Sequence, residues 1–357
     1  MLSCKNKQKP EVLALKPFTN YKQVQSFSGI AKIDTVVSIS NQFGYFNQIS
    51  KIVSFKDDFL VFSDEPKRLS IVTQSGQVLK SVTPNPDEPF EISDIADIDV
   101  FEKHIYVLSR EYYKIHVLDK NLRLIKTHKL PLLAQSFKML SEKEIMFYCG
   151  HEPFSETKSF FVQYNIENKN VHNQYINIPK ETAEYFKFLT SNHILEFAGE
   201  TLLWDSTLDE VYAFNQSNAE EFLKIDYKDK ALPEDYYKNK FKNSYEFITK
   251  TRQTPYAFRH FDFMSNQNHL HFTFEYSNKF LTSLYNHKTG KTITFEKIKD
   301  DLLTNLSYPA INFFDGFYGD DKFIIILPYE YLTQDLLKKN PHFKPKQDVM
   351  IYGSFKN

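Results

Sequence analysis

Ile49-Ser-Lys-Ile52-Val-Ser-Phe55, with the alternating run that follows it to Leu79, decides the fold of this chain because the same pattern recurs directly afterwards. Each apolar position of the first copy has a counterpart 46 residues later, at Ile49 and Ile95, Ile52 and Ile98, Phe55 and Phe101, Phe59 and Ile105, Val61 and Val107, Leu69 and Ile115, Ile71 and Val117, and Leu79 and Ile125. Within each copy, short runs of alternating apolar and polar residues are separated by polar turns, which predicts four antiparallel strands. A four-stranded repeat of about 40 to 50 residues is typical of a β-propeller blade.

The rest of the chain continues this pattern and predicts four further blades. Their apolar runs lie at about 137–164, 193–225, 261–285 and 311–355. Residues 233–250 differ, because a proline and two acids precede aromatic residues at helical spacing, which predicts a short helical insertion. We therefore predict an all-β fold, a six-bladed β-propeller with four-stranded antiparallel blades, in which residues 11–357 form one domain.

A propeller must close its ring, since its first and last blades otherwise leave an unpaired strand edge. The N-terminal strand Ile33–Ile39 precedes the first blade and lacks partners of its own. We expect it to join the last blade, whose other strands contain Phe313, Phe323 and Met350. The alternative is a strand that lies independently on the surface.

Charge and hydropathy exclude several classes of protein. Lys and Arg number 44 and Asp and Glu number 45, so the net charge of −1 gives no reason to expect a nucleic-acid partner. No apolar run approaches the roughly 18 to 20 residues that span a bilayer. The chain has neither a Gly-rich phosphate loop nor a nucleophile elbow, and no cofactor is expected.

The two cysteines differ in their surroundings. Cys149 lies in an apolar strand, where a thiol usually behaves as a small buried hydrophobe. Cys4 lies in Leu2-Ser3-Cys4-Lys5-Asn6 and precedes a polar segment that ends near Pro10. This arrangement resembles the end of a bacterial lipoprotein signal peptide, which predicts that Cys4 is lipidated and that residues 1–10 contain its tether. The alternative is an incidental cysteine near a disordered terminus.

The chain resembles the six-bladed β-propeller lipoproteins common in Bacteroidetes, which are related in shape to NHL-repeat propellers. The resemblance extends from Ile33 to Phe355 and is carried by the blade at 49–82, the opening of the next blade at 92–98, residues 205–233 and the closing segment at 340–355. One departure is the prolyl, glycine-free segment 83–90, where the family usually has a Gly-Pro-Gly-Glu-type loop. The family has no single established reaction to transfer.

This resemblance implies a lipoprotein of the outer membrane. Residues 5–10 are cationic rather than acidic and lack the acidic run that resembles a surface-export signal in Bacteroidetes, so a periplasm-facing position is favoured over the cell surface. The expected partners are an outer-membrane or periplasmic protein, or a peptide or glycan, and the membrane itself through Cys4.

Two groups of residues are candidates for binding. Arg252, Tyr256, Arg259 and His260 precede or begin an inner strand of the fifth blade, where arginines overhanging the central channel would recognise a carboxylate or phosphate. The alternative for this group is a surface ion-pair cluster. Arg110, Tyr112 and Tyr113 form the second group, in the loop between the middle strands of the second blade.

Aromatic side chains beside a cation, as in the second group, can stack on a sugar or a peptide. The alternative for this group is a hairpin whose tyrosines pack between neighbouring blades. His269 with His271, and Cys149 with His151, have the spacing of metal ligands on one strand face, but neither pair has an evident third ligand.

Two functions remain open at this point. The first is a non-enzymatic binding or scaffold protein, which holds a partner at the propeller face. The second is a metal-dependent propeller lyase or lactonase, with its site in the central channel. The inner strands supply mostly apolar residues, which favours binding over catalysis.

Overall fold

The computed structural model describes residues 12–40, 42–85, 87, 92–151, 158–180, 192–332, 334–340 and 343–356. In this part of the chain the strands form six sheets, and each sheet contains four antiparallel strands. In five sheets the four strands follow one another in the chain from the centre outward, and in the sixth the outermost strand comes from the N-terminal segment. This arrangement confirms the predicted six-bladed propeller.

Three strands precede the first complete blade, namely β1 (Leu13–Leu15), β2 (Tyr21–Ser26) and β3 (Ala31–Ser38). Blade one consists of β4 (Gln48–Phe55), β5 (Asp58–Glu65), β6 (Lys67–Thr73) and β7 (Val78–Val82). Blade two consists of β8 (Asp97–Phe101), β9 (His104–Ser109), β10 (Lys114–Leu118) and β11 (Leu124–Lys129). Blade three consists of β12 (Ser136–Met139), β13 (Glu144–Tyr148), β14 (Ser159–Asn165) and β15 (Asn170–Asn177).

Blade four consists of β16 (Ile194–Phe197), β17 (Glu200–Leu203), β18 (Glu210–Asn215) and β19 (Asn218–Ile225). Blade five consists of β20 (Ala257–Ser265), β21 (His269–Tyr276), β22 (Lys279–Asn286) and β23 (Lys291–Lys299), with the short β24 (Ser307–Pro309) paired to β23. Blade six consists of β25 (Gly316–Tyr318), β26 (Lys322–Leu327), β27 (Val349–Phe355) and the N-terminal β3. The helices of the described chain are α1 (Ser244–Thr251), α2 (Gln334–Lys339) and 3-10 turns at Pro17–Asn20, Phe27–Gly29, Lys228–Lys230, Glu234–Lys238 and Tyr329–Tyr331.

The repeat in the sequence corresponds to blades one and two. Strand β5 begins at Asp58 and β9 at His104, and β7 begins at Val78 and β11 at Leu124, so both pairs keep the interval of 46 residues. About half of the repeated apolar residues are buried in one cluster between the two blades, whereas Phe59 and Val61 pack toward blade six, and Ile115 and Val117 pack toward blade three. The members of the cluster between blades one and two are Phe55, Leu69, Ile71, Ile95, Ile98, Ile105 and Val107. Each blade therefore buries its apolar face against the next blade, as stacked repeats require.

Ring closure occurs as expected. Strand β3 pairs antiparallel with β27, with Val36 opposite Ile351, and the innermost strands β25 and β4 are in contact. The predicted inner strand at Phe313 starts instead at Gly316, because Asn312 has φ +56° and interrupts the extended backbone. The ring of Phe313 packs against Phe27 and Phe314, each at 5.2 Å between centroids.

The N-terminal segment also covers two further blades, which was not predicted. Strand β1 runs parallel to β19 along the outer edge of blade four, and β2 runs parallel to β23 along the outer edge of blade five. Residues 13–38 thus cover the outer edges of three consecutive blades before the chain enters blade one. The parallel pairing of β1 with β19 and of β2 with β23 adds hydrogen bonds at edges that would otherwise face solvent.

The insertion between blades four and five packs on blade five through a small aromatic core. Asn243 caps α1 by accepting a hydrogen bond from the backbone N–H of Glu246 (2.9 Å). Phe247 of this helix is fully buried and contacts Phe258 of β20. Neither α-helix of the described chain has the length or the apolar character needed to span a bilayer.

Candidate functional site

A cavity of about 820 Å³ lies where the innermost strands begin, and we call it the mouth cavity. Residues at or near the innermost strands of all six blades line it, namely Asn47–Ser50, Asp94–Ala96, Gln135, Asn192, Phe261–Met264 and Asn312–Asp315. Convergence of all blades on one space places the cavity on the propeller axis. Mouths of closed β structures are common positions for ligand sites.

The mouth cavity continues outward between blades five and six, where its wall is apolar. This part is lined by Phe27, Tyr308, Phe313, Phe314, Ile325 and Leu327. At this position the innermost strand of blade six has only three residues, and the chain before it, from Asp300, contributes only the edge strand β24. We call this part the interblade cleft.

Two carboxylates lie on or directly before the strands that border the interblade cleft. Asp262 belongs to β20, and Asp315 immediately precedes β25. Strand β20 has an irregularity between Phe261 and Met264, and Asp262 there has φ +56°. A bulge with a left-handed residue redirects its side chain and is frequent beside functional sites.

Hydrogen bonds hold both carboxylates in place. Asp262 accepts from the backbone N–H of Asn312 (3.1 Å), and Asp315 accepts from the backbone N–H of Ile326 (2.6 Å). Burial, together with the nearby negative charge of Asp262, raises the pKa of Asp315 to about 7, although the hydrogen bond from Ile326 acts in the opposite direction. Asp315 therefore changes charge close to neutral pH.

The opposite side of the mouth cavity is charged. Asp64, Lys67, Asp94, Arg110 and Glu111 of blades one and two line it. Lys67 pairs with Asp94 at 3.1 Å, and Asp64 accepts a hydrogen bond from the hydroxyl of Ser50. Counted with Asp262, Asp300 and Asp315, six acidic residues and two basic residues line the cavity.

Contacts between blades fix the innermost strands around the axis. Lys51 of blade one pairs with Asp97 of blade two at 2.8 Å, and Asp97 also accepts from the backbone N–H of Phe137 in blade three (2.8 Å). Lys138 of blade three lies 4.0 Å from Asp99 and 3.6 Å from Glu196 of blade four. These polar contacts make the framework beneath the cavity rigid.

The predicted group at Arg110, Tyr112 and Tyr113 lies in the loop between β9 and β10, as expected. Arg110 lines the mouth cavity. Tyr112 and Tyr113 are each 40% exposed, so the alternative of tyrosines packed between blades does not describe them. The ammonium of Lys114 lies 5.4 Å from the ring of Tyr112. Binding by this group stays a prediction.

The predicted group at Arg252, Tyr256, Arg259 and His260 does not line the mouth cavity. Arg252 and Arg259 both contact the buried carboxylate of Glu275 on β21. The geometry matches the ion-pair alternative, because Glu275 supplies the carboxylate that an external ligand would otherwise provide. Recognition of an outside anion by these arginines stays a prediction.

Arg259 and His260 border a second cavity of about 650 Å³ beside blade four and the helical insertion. His260 is buried, lies 2.8 Å from the hydroxyl of Tyr227, and its pKa is lowered to about 4 by burial. Tyr256 packs edge-on against Tyr236 of the insertion, with 6.3 Å between ring centroids. The structure thus places the first predicted group in the packing of the insertion, away from the axis.

The metal-ligand spacing of His269 and His271 has another explanation in the structure. Both side chains are buried on β21; His269 lies 3.1 Å from the amide of Asn286, and His271 lies 2.9 Å from the backbone carbonyl of Asp262. Among the described residues, no three His, Cys, Asp or Glu side chains are grouped as metal ligands. Cys4 lies outside the described residues.

Sequence reasoning missed Asp262 and Asp315 as candidate residues. Each carboxylate follows a phenylalanine close to an innermost strand, in Phe261-Asp262-Phe263 and in Phe313-Phe314-Asp315. A single acid next to phenylalanine, within or directly before an inner strand, is the pattern that would have identified them. The φ of Asp262 and the shortness of β25 depend on tertiary packing and have no such local pattern.

Comparisons with known proteins agree with this architecture. Residues 6–326 match the DUF5128 family, which is described as a 6-bladed beta-propeller. The fold is similar to that of a protein from Bacteroides fragilis NCTC 9343 that is provisionally described as exported, at 12% identity and TM-score 0.75, with 97% of this chain and 100% of that chain covered. It is also similar to a member of the duf4221 family from Bacteroides vulgatus, at 11% identity and TM-score 0.55, with 92% and 98% covered.

A search of curated proteins gives no match. The two solved structures, at identities this low, show a common fold and nothing more specific. The match over residues 6–326 accounts for most of the chain, including the five blades that precede the last and the N-terminal strand that closes the ring. The chain therefore belongs to the DUF5128 family of six-bladed β-propellers.

Proposed function

We propose that this chain is a binding protein without catalytic activity, which holds a partner or ligand at the mouth cavity while a lipid on Cys4 tethers it to the outer membrane. The observation that carries the binding function is the mouth cavity, since all six blades contribute to it and its walls combine aromatic rings with carboxylates. Polar contacts that link blades one to four beneath the cavity keep this surface preorganised, which reduces the entropy lost on binding.

Support for the tether comes from the sequence Leu2-Ser3-Cys4 and from the similarity to a Bacteroides protein described as exported. The chain first joins the propeller at β1 on the outer edge of blade four, far from the axis. A tether attached at that edge leaves the mouth cavity accessible. A periplasm-facing position is part of the proposal, on the basis of the cationic residues 5–10.

The binding function is tested with a photo-crosslinking amino acid placed at the cavity rim in the native bacterium. Asn47 is exposed and lines the mouth cavity, whereas Lys103 is exposed in the β8–β9 turn at the opposite end of blade two. We expect a crosslinked product at Asn47 and none at Lys103. Equal products at both positions, or none at Asn47, would overturn a binding role for the cavity.

The tether is tested by comparing Cys4→Ser with Cys149→Ser, which changes the other cysteine, buried in the propeller. With the native leader present, wild type and Cys149→Ser should fractionate with membranes and incorporate a fatty-acid analogue, and Cys4→Ser should do neither. Metal analysis of the purified protein addresses the alternative, because a stoichiometric tightly held metal would redirect the proposal to a lyase or lactonase.

A further inference from the structure

The chemistry of the mouth cavity is specific enough to indicate the class of its ligand. Its two parts differ in character, since blades one and two supply charged side chains and the interblade cleft supplies aromatic and aliphatic ones. Asp262 and Asp315 lie on or directly before the strands where these parts meet. A ligand that occupies both parts therefore needs an apolar body and a polar group beside the two carboxylates.

The charge of the lining favours a cation over an anion. Six acidic and two basic side chains line the cavity, and Lys67 is already paired with Asp94 at 3.1 Å. A concave site lined mainly by one sign of charge concentrates ligands of the opposite sign. An organic anion would meet the field of these carboxylates and would be repelled.

The hydrogen-bond geometry leaves each carboxylate with capacity for a ligand. For Asp315, one oxygen accepts from Ile326, and for Asp262, one oxygen accepts from Asn312 and lies 3.5 Å from the hydroxyl of Thr273. An ionised carboxylate has about four acceptor positions on its two oxygens. An ammonium or guanidinium group satisfies such positions with charge-assisted hydrogen bonds.

Aromatic rings beside the carboxylates provide a second interaction for a cation. The ring of Phe313 contacts the rings of Phe27 and Tyr308, with centroids at 5.2 Å and 5.9 Å. Rings that border a site attract organic cations through their negative faces and bury apolar groups through the rest of their surface.

We propose that the mouth cavity binds an organic cation, an ammonium or guanidinium group on an apolar body, with the charge at Asp262 and Asp315 and the body in the interblade cleft. This inference rests on the proposed binding function and adds the ligand class to it. The cation belongs to a free amine or to a basic side chain of a peptide, two sources with the same chemistry.

The experiment measures binding of three matched probes to the full chain at pH 8 by calorimetry or ligand-observed NMR. The probes are 2-phenylethylammonium, 2-phenylethanol and 3-phenylpropanoate, which share a phenyl ring and differ in charge. We expect the ammonium to bind at least about tenfold more tightly than the alcohol, because the alcohol lacks the charge-assisted contact. The carboxylate should bind weakest, because the carboxylates of the cavity repel it. Acetyl-Phe-Lys-amide, compared with acetyl-Phe-norleucine-amide, tests the peptide source in the same way.

The matched variants are Asp315→Asn and Asp320→Asn. Asparagine at 315 keeps an oxygen that can accept from Ile326, so the fold is retained, and Asp320 is exposed in the β25–β26 turn away from the cavity. We expect Asp315→Asn to lower affinity for the ammonium about tenfold and to leave affinity for the alcohol unchanged. Asp320→Asn should change neither affinity.

Acidification gives an independent readout. Because the pKa of Asp315 is raised to about 7, affinity for the ammonium should fall severalfold between pH 8 and pH 6 in wild type, and this dependence should be weaker in Asp315→Asn. The other charged groups that line the same cavity are Asp64, Lys67, Asp94, Arg110, Glu111, Asp262 and Asp300.

Two outcomes would overturn the inference, and they separate it from the proposed function. If the alcohol or the carboxylate binds as tightly as the ammonium, or if Asp315→Asn leaves ammonium affinity unchanged, the ligand class is wrong while the cavity remains a binding site. If no probe binds and the photo-crosslinker at Asn47 captures nothing, both the ligand class and the binding function are wrong.

Discussion

Lys51 and Asp97 occupy the same position of consecutive blades, 46 residues apart, and form an ion pair of 2.8 Å across the boundary between the blades. Asp97 is 1% exposed and also accepts hydrogen bonds from the backbone N–H groups of Ile98 and Phe137. One repeated position thus carries opposite charges in neighbouring blades, and its carboxylate links three blades. Burial raises the pKa of Asp97, and the charge of Lys51 opposes that rise.

Removal of this carboxylate should destabilise the ring. We expect Asp97→Ala to lower the free energy of unfolding by about 3 to 5 kcal/mol, because it removes the partner of a partly buried ammonium and an acceptor for two buried backbone N–H groups. Urea unfolding followed by tryptophan fluorescence from Trp204 measures this change. Lys51→Met combined with Asp97→Ala should cost less than the sum of the two single changes.

The pair of Lys67 and Asp94 is a suitable control, since it also belongs to blades one and two and has a similar distance of 3.1 Å. Its lysine is 42% exposed, so Lys67→Ala should cost less than about 1 kcal/mol. Similar losses for Asp97→Ala and Lys67→Ala would contradict the structural role of the inner pair.

The fold was predictable from the sequence because its determinants are local and repeated. Alternation of apolar residues in copies 46 residues apart specifies strand number, order and the faces that pack between blades. Closure by β3 was predictable because an unpaired edge is unfavourable. The parallel strands β1 and β2 escaped prediction because three to six residues on an outer edge carry little pattern.

The candidate site was less predictable, because its residues act through distant partners. Arg252 and Arg259 were expected near an outside anion, but Glu275 on the next strand lies between them. Nothing in the sequence near residue 259 indicates that the carboxylate at 275 points back toward β20. Asp262 and Asp315 come together only because blades five and six are neighbours around the axis.

Closure by the N-terminal strands gives a second prediction. Deletion of residues 1–38 should abolish the cooperative thermal transition or lower its midpoint by more than 10 °C, where about 1 kcal/mol of lost stability corresponds to 2 to 4 °C. The reason is that β27 loses its partner and blades four and five lose their covered edges. Deletion of residues 1–11 removes none of the described strands and should leave the midpoint unchanged.

Complementation makes the closure test specific. A synthetic peptide of residues 29–40, which contains β3, should raise the midpoint of the longer deletion in a concentration-dependent manner, as any ligand of the native state does. A peptide of the same composition in scrambled order serves as the control. An unchanged midpoint after deletion of residues 1–38 would mean that β3 contributes nothing to closure.

The arginines around Glu275 give a third prediction. Glu275 is 1% exposed, so Arg259→Ala should lower the free energy of unfolding by about 2 to 4 kcal/mol, with Arg252 compensating part of the loss. Lys279→Ala, which breaks the exposed pair of Lys279 with Glu296 in the same blade, should cost less than about 1 kcal/mol. If Arg259→Ala leaves stability unchanged and instead weakens binding of inorganic phosphate, the anion-binding hypothesis is right.

The pKa of Asp315 gives the last prediction, which concerns stability and needs no ligand. Burial raises this pKa to about 7 from an ordinary value of 3.8, so the folded protein binds a proton that the unfolded chain releases. The resulting stabilisation is complete below pH 4 and is lost as the pH rises to about 7. One pKa unit of difference between the folded and unfolded states is worth about 1.4 kcal/mol. Because solvent in the cavity reduces the full effect, we expect this group to lower the free energy of unfolding by about 1 to 2 kcal/mol as the pH rises.

Asp315→Asn should remove that part of the pH dependence, so that the stability of the variant relative to wild type increases between pH 4.5 and pH 8. Urea unfolding at four pH values measures it, with Asp320→Asn as the exposed control, and parallel pH profiles for wild type and Asp315→Asn would show that Asp315 has an ordinary pKa.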